Sequence, residues 1–391
     1  MTKCFYLNYN TPMKTLKFKL YQSKKNAHLH HQIDISGIIW NHCIALHRRY
    51  YKLTGKYINV YAMQKHIAKL KRLPKHEFWN LVGSQAVQDI CQRVDRSYQM
   101  FFKSKQGKIS VKHGRPGFCK VKKYSSFTLK QAGWKLLDSN KIRIGKHVFK
   151  FSKSREILGA IKTVTIKRNP LGDLYICFAV ETDEQVPDRL GNTIVGIDFG
   201  LKTFLTLSNG ETVESPLWFI NTLKQIRRAS REFSRKIKRS GHWFASKDKL
   251  NRIYENIKNQ RRDFFFKLAH SLTDQYDIIV LEDLNIAGMK KLWGRKVSDL
   301  AFTEFVSILE YVAKQKGKLI HFIDRFYPSS KTCSCCGYVN KDLSLSDRHW
   351  YCPSCHTVLD RDVNAAVNIE REGTSSLGLG STRPVIQAAT V

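Results

Sequence analysis

The chain has 391 residues, 42% of them apolar, which allows two or three units with buried cores and excludes a wholly disordered protein. Its 67 Lys and Arg face 32 Asp and Glu, a formal charge of +35. A charge of that size repels itself unless a polyanion neutralises it, so nucleic acid is the expected partner. No apolar run approaches the length of a membrane-spanning helix and no basic amphipathic stretch carries a lipid-facing stripe, so no membrane partner is expected.

The opening residues MTKCFYLNYNTPMK lack the apolar core and cleavage site of a secretory signal, so a cytoplasmic chain under reducing conditions is expected. Residues 14 to 20, KTLKFKL, alternate as a strand with one wet face does. Three helical stretches follow, DISGIIWNHCIALHRRYYKL, NVYAMQKHIAKLKR and EFWNLVGSQAVQDICQRVDRSYQMFF, because apolar residues recur there at three- and four-residue steps. Trp40, Tyr50, Tyr51 and Tyr98 sit among basic residues there, and helix packing is the first explanation for each. Short strands separated by Gly, Pro and Asn turns come next: KISVKHG, SSFTLKQ, KIRIGKHVFKF, AIKTVTIKR and LYICFAVET. They predict a small antiparallel β-barrel over 1–22 and 105–190, interrupted by a helical lobe over 23–104.

From residue 191 the pattern runs strand, hairpin, long helices, strand, helix, strand, a cysteine-rich loop and a last helix. It predicts a mixed α/β sheet over 191–330 and 357–372, with the cysteine-rich segment at 331–356. Residues 373–391 are rich in Gly, Ser and Thr, and a poorly ordered tail is expected there.

Asp198 ends the apolar run of NTIVGIDFG, Glu282 and Asp283 end DIIVL, and Asp360 and Asp362 open DRDVNAAVNI. Singly, each acid is explained as a turn or cap residue. Together they offer hard oxygen ligands for magnesium or manganese, and a two-ion site of this kind hydrolyses phosphodiesters. Asp283 and Asp360 compete for the same roles. Cys333 and Cys336 form one CxxC pair and Cys352 and Cys355 another, the spacing of a structural zinc site with a closed tetrahedral sulfur shell. Cys335 and His356 complicate that ligand choice. Between Lys224 and Arg262, 14 Lys or Arg stand against three acids, suited to a nucleic-acid backbone.

Taken together, GIDFG, LEDLNIAGM, YPSSKTCSCCG, YCPSC and DRDVNAAVNI resemble, in that order, the C-terminal half of TnpB proteins, transposon-encoded relatives of type V CRISPR effectors. WNHCIALHRRYY, SYQMFF and GRPGFCKVKKYSSF look like that family's N-terminal half. The resemblance implies an RNase H-type RuvC-like nuclease domain with a zinc ribbon, and a wedge-like β-barrel interrupted by a helical recognition lobe. It further implies an RNA-guided DNA endonuclease of a transposon, which holds a transposon-derived guide RNA and cleaves double-stranded target DNA beside a short motif. By position in the motifs, Asp198, Glu282 and Asp362 match the family's metal-binding acids, which selects Asp362 over Asp360. His356 stands where many relatives carry Gly. Relatives that have lost the acids bind DNA without cutting it, so a guided DNA-binding regulator is the second reading, and a transposase acting on transposon ends the third.

Overall fold

The computed structural model describes residues 13–138, 140–182, 191–200, 202–284, 294, 299–344 and 347–379. The chain divides into two compact units, Met1–Glu184 and Gln185–Val391. No helix among the described residues is long and apolar enough to cross a membrane.

In the first unit, strands β1 (Met13–Lys19), β2 (Ser126–Leu129), β6 (Ala160–Arg168) and β7 (Leu174–Glu181) form an antiparallel sheet in the order β1-β7-β6-β2. Strands β3 (Trp134–Leu136), β4 (Lys141–Ile144) and β5 (His147–Lys150) form a second, three-stranded sheet. The period-two pattern of the sequence sets the register: Leu16 lies opposite Phe178 and Phe18 opposite Ile176, all four buried. Three helices fill the interval between β1 and β2: α1 (Asn26–Thr54), α2 (Val60–Leu70) and α3 (Ser84–Lys105). Gly55, at φ 68°, ends α1 in the left-handed turn that a glycine adopts without strain, and the Asn59 side chain caps α2.

Two local expectations fail here. Residues 77–81, read as the start of the third helix, belong to a 3₁₀ segment (Pro74–Leu81), and α3 begins only after Gly83. The stretch 108–114 is no strand but leads into a loop tied to α1, where Asn41, Arg48 and Trp40 donate to the carbonyls of Cys119, Pro116 and Gly117. These side-chain bonds satisfy backbone groups that a sheet ladder would otherwise have to pair. Of the four aromatics, Tyr98 is buried and stacks on His47 at 3.8 Å, Trp40 and Tyr50 pack against the core, and Tyr51 is exposed.

In the second unit, β8 (Ile194–Phe199), β9 (Thr203–Leu207), β10 (Thr212–Glu214), β11 (Ile278–Glu282) and β12 (Leu319–Ile323) form a five-stranded sheet in the order β10-β9-β8-β11-β12. The hairpin strands pair antiparallel, whereas β11 runs parallel to both β8 and β12. Helices α4 (Trp218–Ser234), α5 (Gly241–Gln275) and α6 (Phe302–Lys316) connect them. Buried Asp299 accepts from the amides of Phe219 and Ile220 and so caps α4 from a distant segment. One sheet face, with Val195, Ile197 and Phe199, shares a core with Phe265 of α5 and Phe305 and Leu309 of α6. The other carries the last helix, α7 (Arg361–Ser376), through Ile194, Ile278, Val280 and Ile369.

That contact is unusually close. A Cβ on Gly196 would lie 2.2 Å from the carbonyl oxygen of Ala366, and one on Gly373 would lie 2.4 Å from the Val280 side chain. Gly373 is therefore a packing residue of α7, and the helix continues to Ser376 where a disordered tail was expected to begin; residues 380–391 of that tail lie outside the described residues. Because the obstacle at Gly196 is backbone, Gly196→Ala should destabilise the protein by about 1–3 kcal/mol. Gly114→Ala, with nothing within 4 Å of its Cβ, should stay within about 0.5 kcal/mol of wild type, both variants being compared with it by urea titration.

Candidate functional site

Alternation along a strand places every second residue on one face. Ile194, Gly196 and Asp198 therefore share the face covered by α7, and so do Ile278, Val280 and Glu282 of the neighbouring parallel strand. Ile197 pairs with Leu281, so Asp198 and Glu282 follow at adjacent strand ends. On α7, Asp362, Ala366, Ile369 and Gly373 recur at helical spacing, and the last three contact the sheet. This spacing brings Asp362, in the first turn, to the same end.

The electrostatics reflect the convergence. Burial, then repulsion from Glu282 and from Asp362, pushes the Asp198 carboxyl up to about 7, with Arg361 opposing. Burial also raises Glu282, against a hydrogen bond donated by Ser329 Oγ. Arg348 Nη1 lies 2.8 and 3.2 Å from the two carboxylate oxygens of Asp362.

The competing acids are occupied elsewhere. Asp360 is the N-cap of α7 and accepts from the amides of Asp362 and Val363 at 3.0 and 2.9 Å. Asp283, one residue beyond Glu282, is exposed and paired with Arg325 at 2.5 Å. The continuation of that motif, residues 285–289, lies outside the described residues.

The four cysteine sulfurs of Cys333, Cys336, Cys352 and Cys355 lie within 4.8 Å of one another, and no other group of three or more His, Cys, Asp or Glu donors does so among the described residues. The Cys333–Cys355 and Cys336–Cys352 separations are both 3.6 Å. A disulfide would need about 2.05 Å, whereas sulfurs held about 2.3 Å from a tetrahedral zinc stand about 3.8 Å apart. The set fits zinc. Cys335 is exposed and outside the cluster. His356 is no part of it either: at φ 60° it occupies the left-handed turn after the second knuckle, with its amide on Cys352 O and its ring against Tyr351. Strands β13 (His349–Tyr351) and β14 (Val358–Asp360) form the hairpin that carries the second knuckle, over buried Trp350.

Several participants escaped the sequence reading. Asn364 accepts from the amide of Ser334 and donates to Thr332 O, and Asn368 donates to Ser329 O and Thr332 O. Both are 2% exposed, and they stitch the first knuckle to α7. Their i, i+4 spacing beside a CxxC pair was the available signal. Ser329 and Arg348 carried none, because loop positions have no period.

On α4 and α5 the basic run lines an open cleft of about 870 Å³ with Arg228, Lys249 and Arg252 on its walls. Asp248 is there too, so the cleft is not uniformly cationic.

Residues 176–292 match the family model OrfB_IS605, described as "Probable transposase", and residues 302–369 match that of the Cas12f1-like TNB domain. The chain is 36% identical over 220 residues to a candidate RNA-guided DNA endonuclease of Streptomyces pristinaespiralis, covering 56% of this chain and 54% of that protein. It thus spans about half the length of that relative. It is 27% identical over 375 residues to a candidate RNA-guided DNA endonuclease of Escherichia coli, InsQ, covering 90% of this chain and 91% of that one. Among solved structures, the mini-RNA-guided endonuclease CRISPR-Cas phi3 shares the fold with a TM-score of 0.53 at 10% identity, over 96% of this chain and 93% of that one.

Elemental analysis of freshly purified protein should find about one zinc per chain, and Cys352→Ser should lose it. The raised carboxyl sets a pH dependence of stability. Asp198 binds its proton more tightly folded, at about 7, than unfolded, near 3.8, so its contribution is favourable below pH 4 and is lost as pH rises to 7. Metal-free Asp198→Asn should therefore exceed wild type by roughly 2–4 kcal/mol at pH 8 and match it near pH 4, as read by chemical unfolding.

Proposed function

We propose, from the premise that the chain belongs to the TnpB family whose motifs it carries in order, that it is an RNA-guided DNA endonuclease of a transposon. One observation carries the catalytic part: three carboxylates from two strand ends and a helix start lie at one end of the sheet, and burial, with repulsion from the other two, raises Asp198 to about 7. Arg348 on Asp362 and Arg361 near Asp198 leave the Asp198 carboxyl raised, and hard oxygen donors suit magnesium or manganese. Asp198, Glu282 and Asp362 would hold the ions. Bound there, a pair of ions supplies an activated water and stabilises the leaving oxygen of an in-line displacement at phosphorus. Ser329 orients Glu282, and the Asp360 cap orients the first turn that carries Asp362.

In this reading the second unit is an RuvC-like nuclease domain of the RNase H type. The hairpin together with the three parallel strands β8, β11 and β12 supports it. The ribbon is structural, because four thiolates leave a zinc no open position. The first unit combines a wedge-like barrel with a recognition lobe, and its basic and aromatic surface faces guide RNA and target duplex. Base pairing then supplies the address, while the protein reads backbone shape and a short adjacent motif. The place of action is the prokaryotic cytoplasm, at the nucleoid.

The test uses full-length protein purified with RNA transcribed from its own flanking sequence, a plasmid carrying the matched target, and magnesium. Wild type should give guide-dependent double-strand breaks, and Asp198→Ala should cut more than about a hundredfold more slowly. Equal cutting by the two proteins removes the proposed role of Asp198. Tight guide-dependent binding without breaks under any divalent ion favours a DNA-binding regulator instead, and strand-transfer products favour a transposase.

A further inference from the structure

The first turn of α7 is not left to the acids alone. Arg348 lies in the ribbon, one residue before β13, and its carbonyl accepts from the amide of Arg361 at 2.8 Å. In the same hairpin His349 pairs with Asp360, and Cys352 and Cys355 follow within seven residues. The backbone of Arg348 is thus fixed by the sulfur cluster on one side and by the start of α7 on the other. From that position its Nη1 reaches both oxygens of Asp362, at 2.8 and 3.2 Å. The pair is partly sheltered, the two side chains being 40% and 24% exposed.

We propose that Arg348 is a built-in counter-ion of the acid site: it holds Asp362 while no divalent ion is bound and competes with that ion for the carboxylate, so that the ribbon sets the metal affinity of the nuclease centre. The proposal rests on the reading of Asp198, Glu282 and Asp362 as metal ligands. The physical reason is simple. A carboxylate whose two oxygens face a guanidinium has lone pairs engaged and its charge neutralised, so an incoming cation must displace the guanidinium or bind beside a like charge. Arg361 acts on Asp198, whereas Arg348 bonds both oxygens of Asp362. Arg348 acts here as a positioning and gating residue, and its contribution is read in metal binding rather than in turnover.

The experiment is a titration of the RNA-free full-length chain with Mn²⁺, the free ion being followed by its electron paramagnetic resonance signal. Zinc content is measured for every variant. Arg348→Gln, which removes the charge and leaves the backbone bonds, should bind Mn²⁺ about three- to fivefold more tightly than wild type. Arg348→Lys, which keeps the charge, should stay closer to wild type than the Gln variant does. Unchanged or weaker binding by Arg348→Gln with its zinc intact overturns the proposal. Should the Gln variant lose zinc, Arg348→Ala decides the matter by the same criterion. Asp198→Asn tells the two levels apart: it should abolish tight Mn²⁺ binding, and if it binds as wild type does, the acid-site reading falls and the counter-ion proposal with it. If Asp198→Asn loses binding while Arg348→Gln shows no gain, only the counter-ion proposal falls.

Discussion

The close approach of α7 to the sheet is the constraint on which the second unit depends. Two glycines make it possible, Gly196 in the central strand and Gly373 near the helix end, each where a side chain would strike the opposing element. With the helix seated this deeply, its N-terminal turn falls beside the ends of β8 and β11, and Asp362 comes near two acids far upstream in the chain, Asp198 and Glu282. A helix held a few ångströms further out would leave Asp362 in solvent and Asp198 without its neighbour's field. The seat is also polar at one point, since Ser208 bonds both the Gly196 amide and the Glu370 carboxylate.

Placing like charges together has a cost, which the protein meets with local cations and donors. Arg361 acts on Asp198, Ser329 donates to Glu282, and Arg348 pairs with Asp362. None removes the repulsion, as the elevated Asp198 carboxyl records. The net charge of +35 contributes little at this range, because surface charges more than about 8–10 Å away are screened by salt. Its effect lies in attracting a polyanion to the surface, which is a separate task from holding the acids.

The sulfur cluster and the acid site are mechanically one assembly. Asn364 and Asn368 bind the first knuckle to the face of α7, and the β13–β14 hairpin delivers both the second knuckle and Arg348 to the helix start. A buried amide whose partner is lost leaves an unsatisfied group worth about 1–3 kcal/mol, so the ribbon and the helix hold each other in place. A metal held by the four sulfurs would therefore matter for residues it never touches.

Much of this was legible in the amino-acid sequence. The two CxxC pairs are local patterns, and local spacing alone specifies which sulfurs can meet. The alternation of β1 and β7, the apolar runs ending in Asp198 and Glu282, and the basic stretch of α4 and α5 are likewise written in neighbouring residues. Physical reading of the acids still left Asp360 against Asp362 and Glu282 against Asp283 undecided, because sequence neighbours have the same chemistry and differ only in direction. The tertiary structure gives the neighbours other partners: Asp283 pairs with Arg325, and Asp360 caps α7 through backbone amides. It also decided that 108–114 leads into a loop tethered to α1 and that Gly373 packs within a helix, since both depend on partners far along the chain. Periodicity reports what a segment can bury, and only packing reports against what.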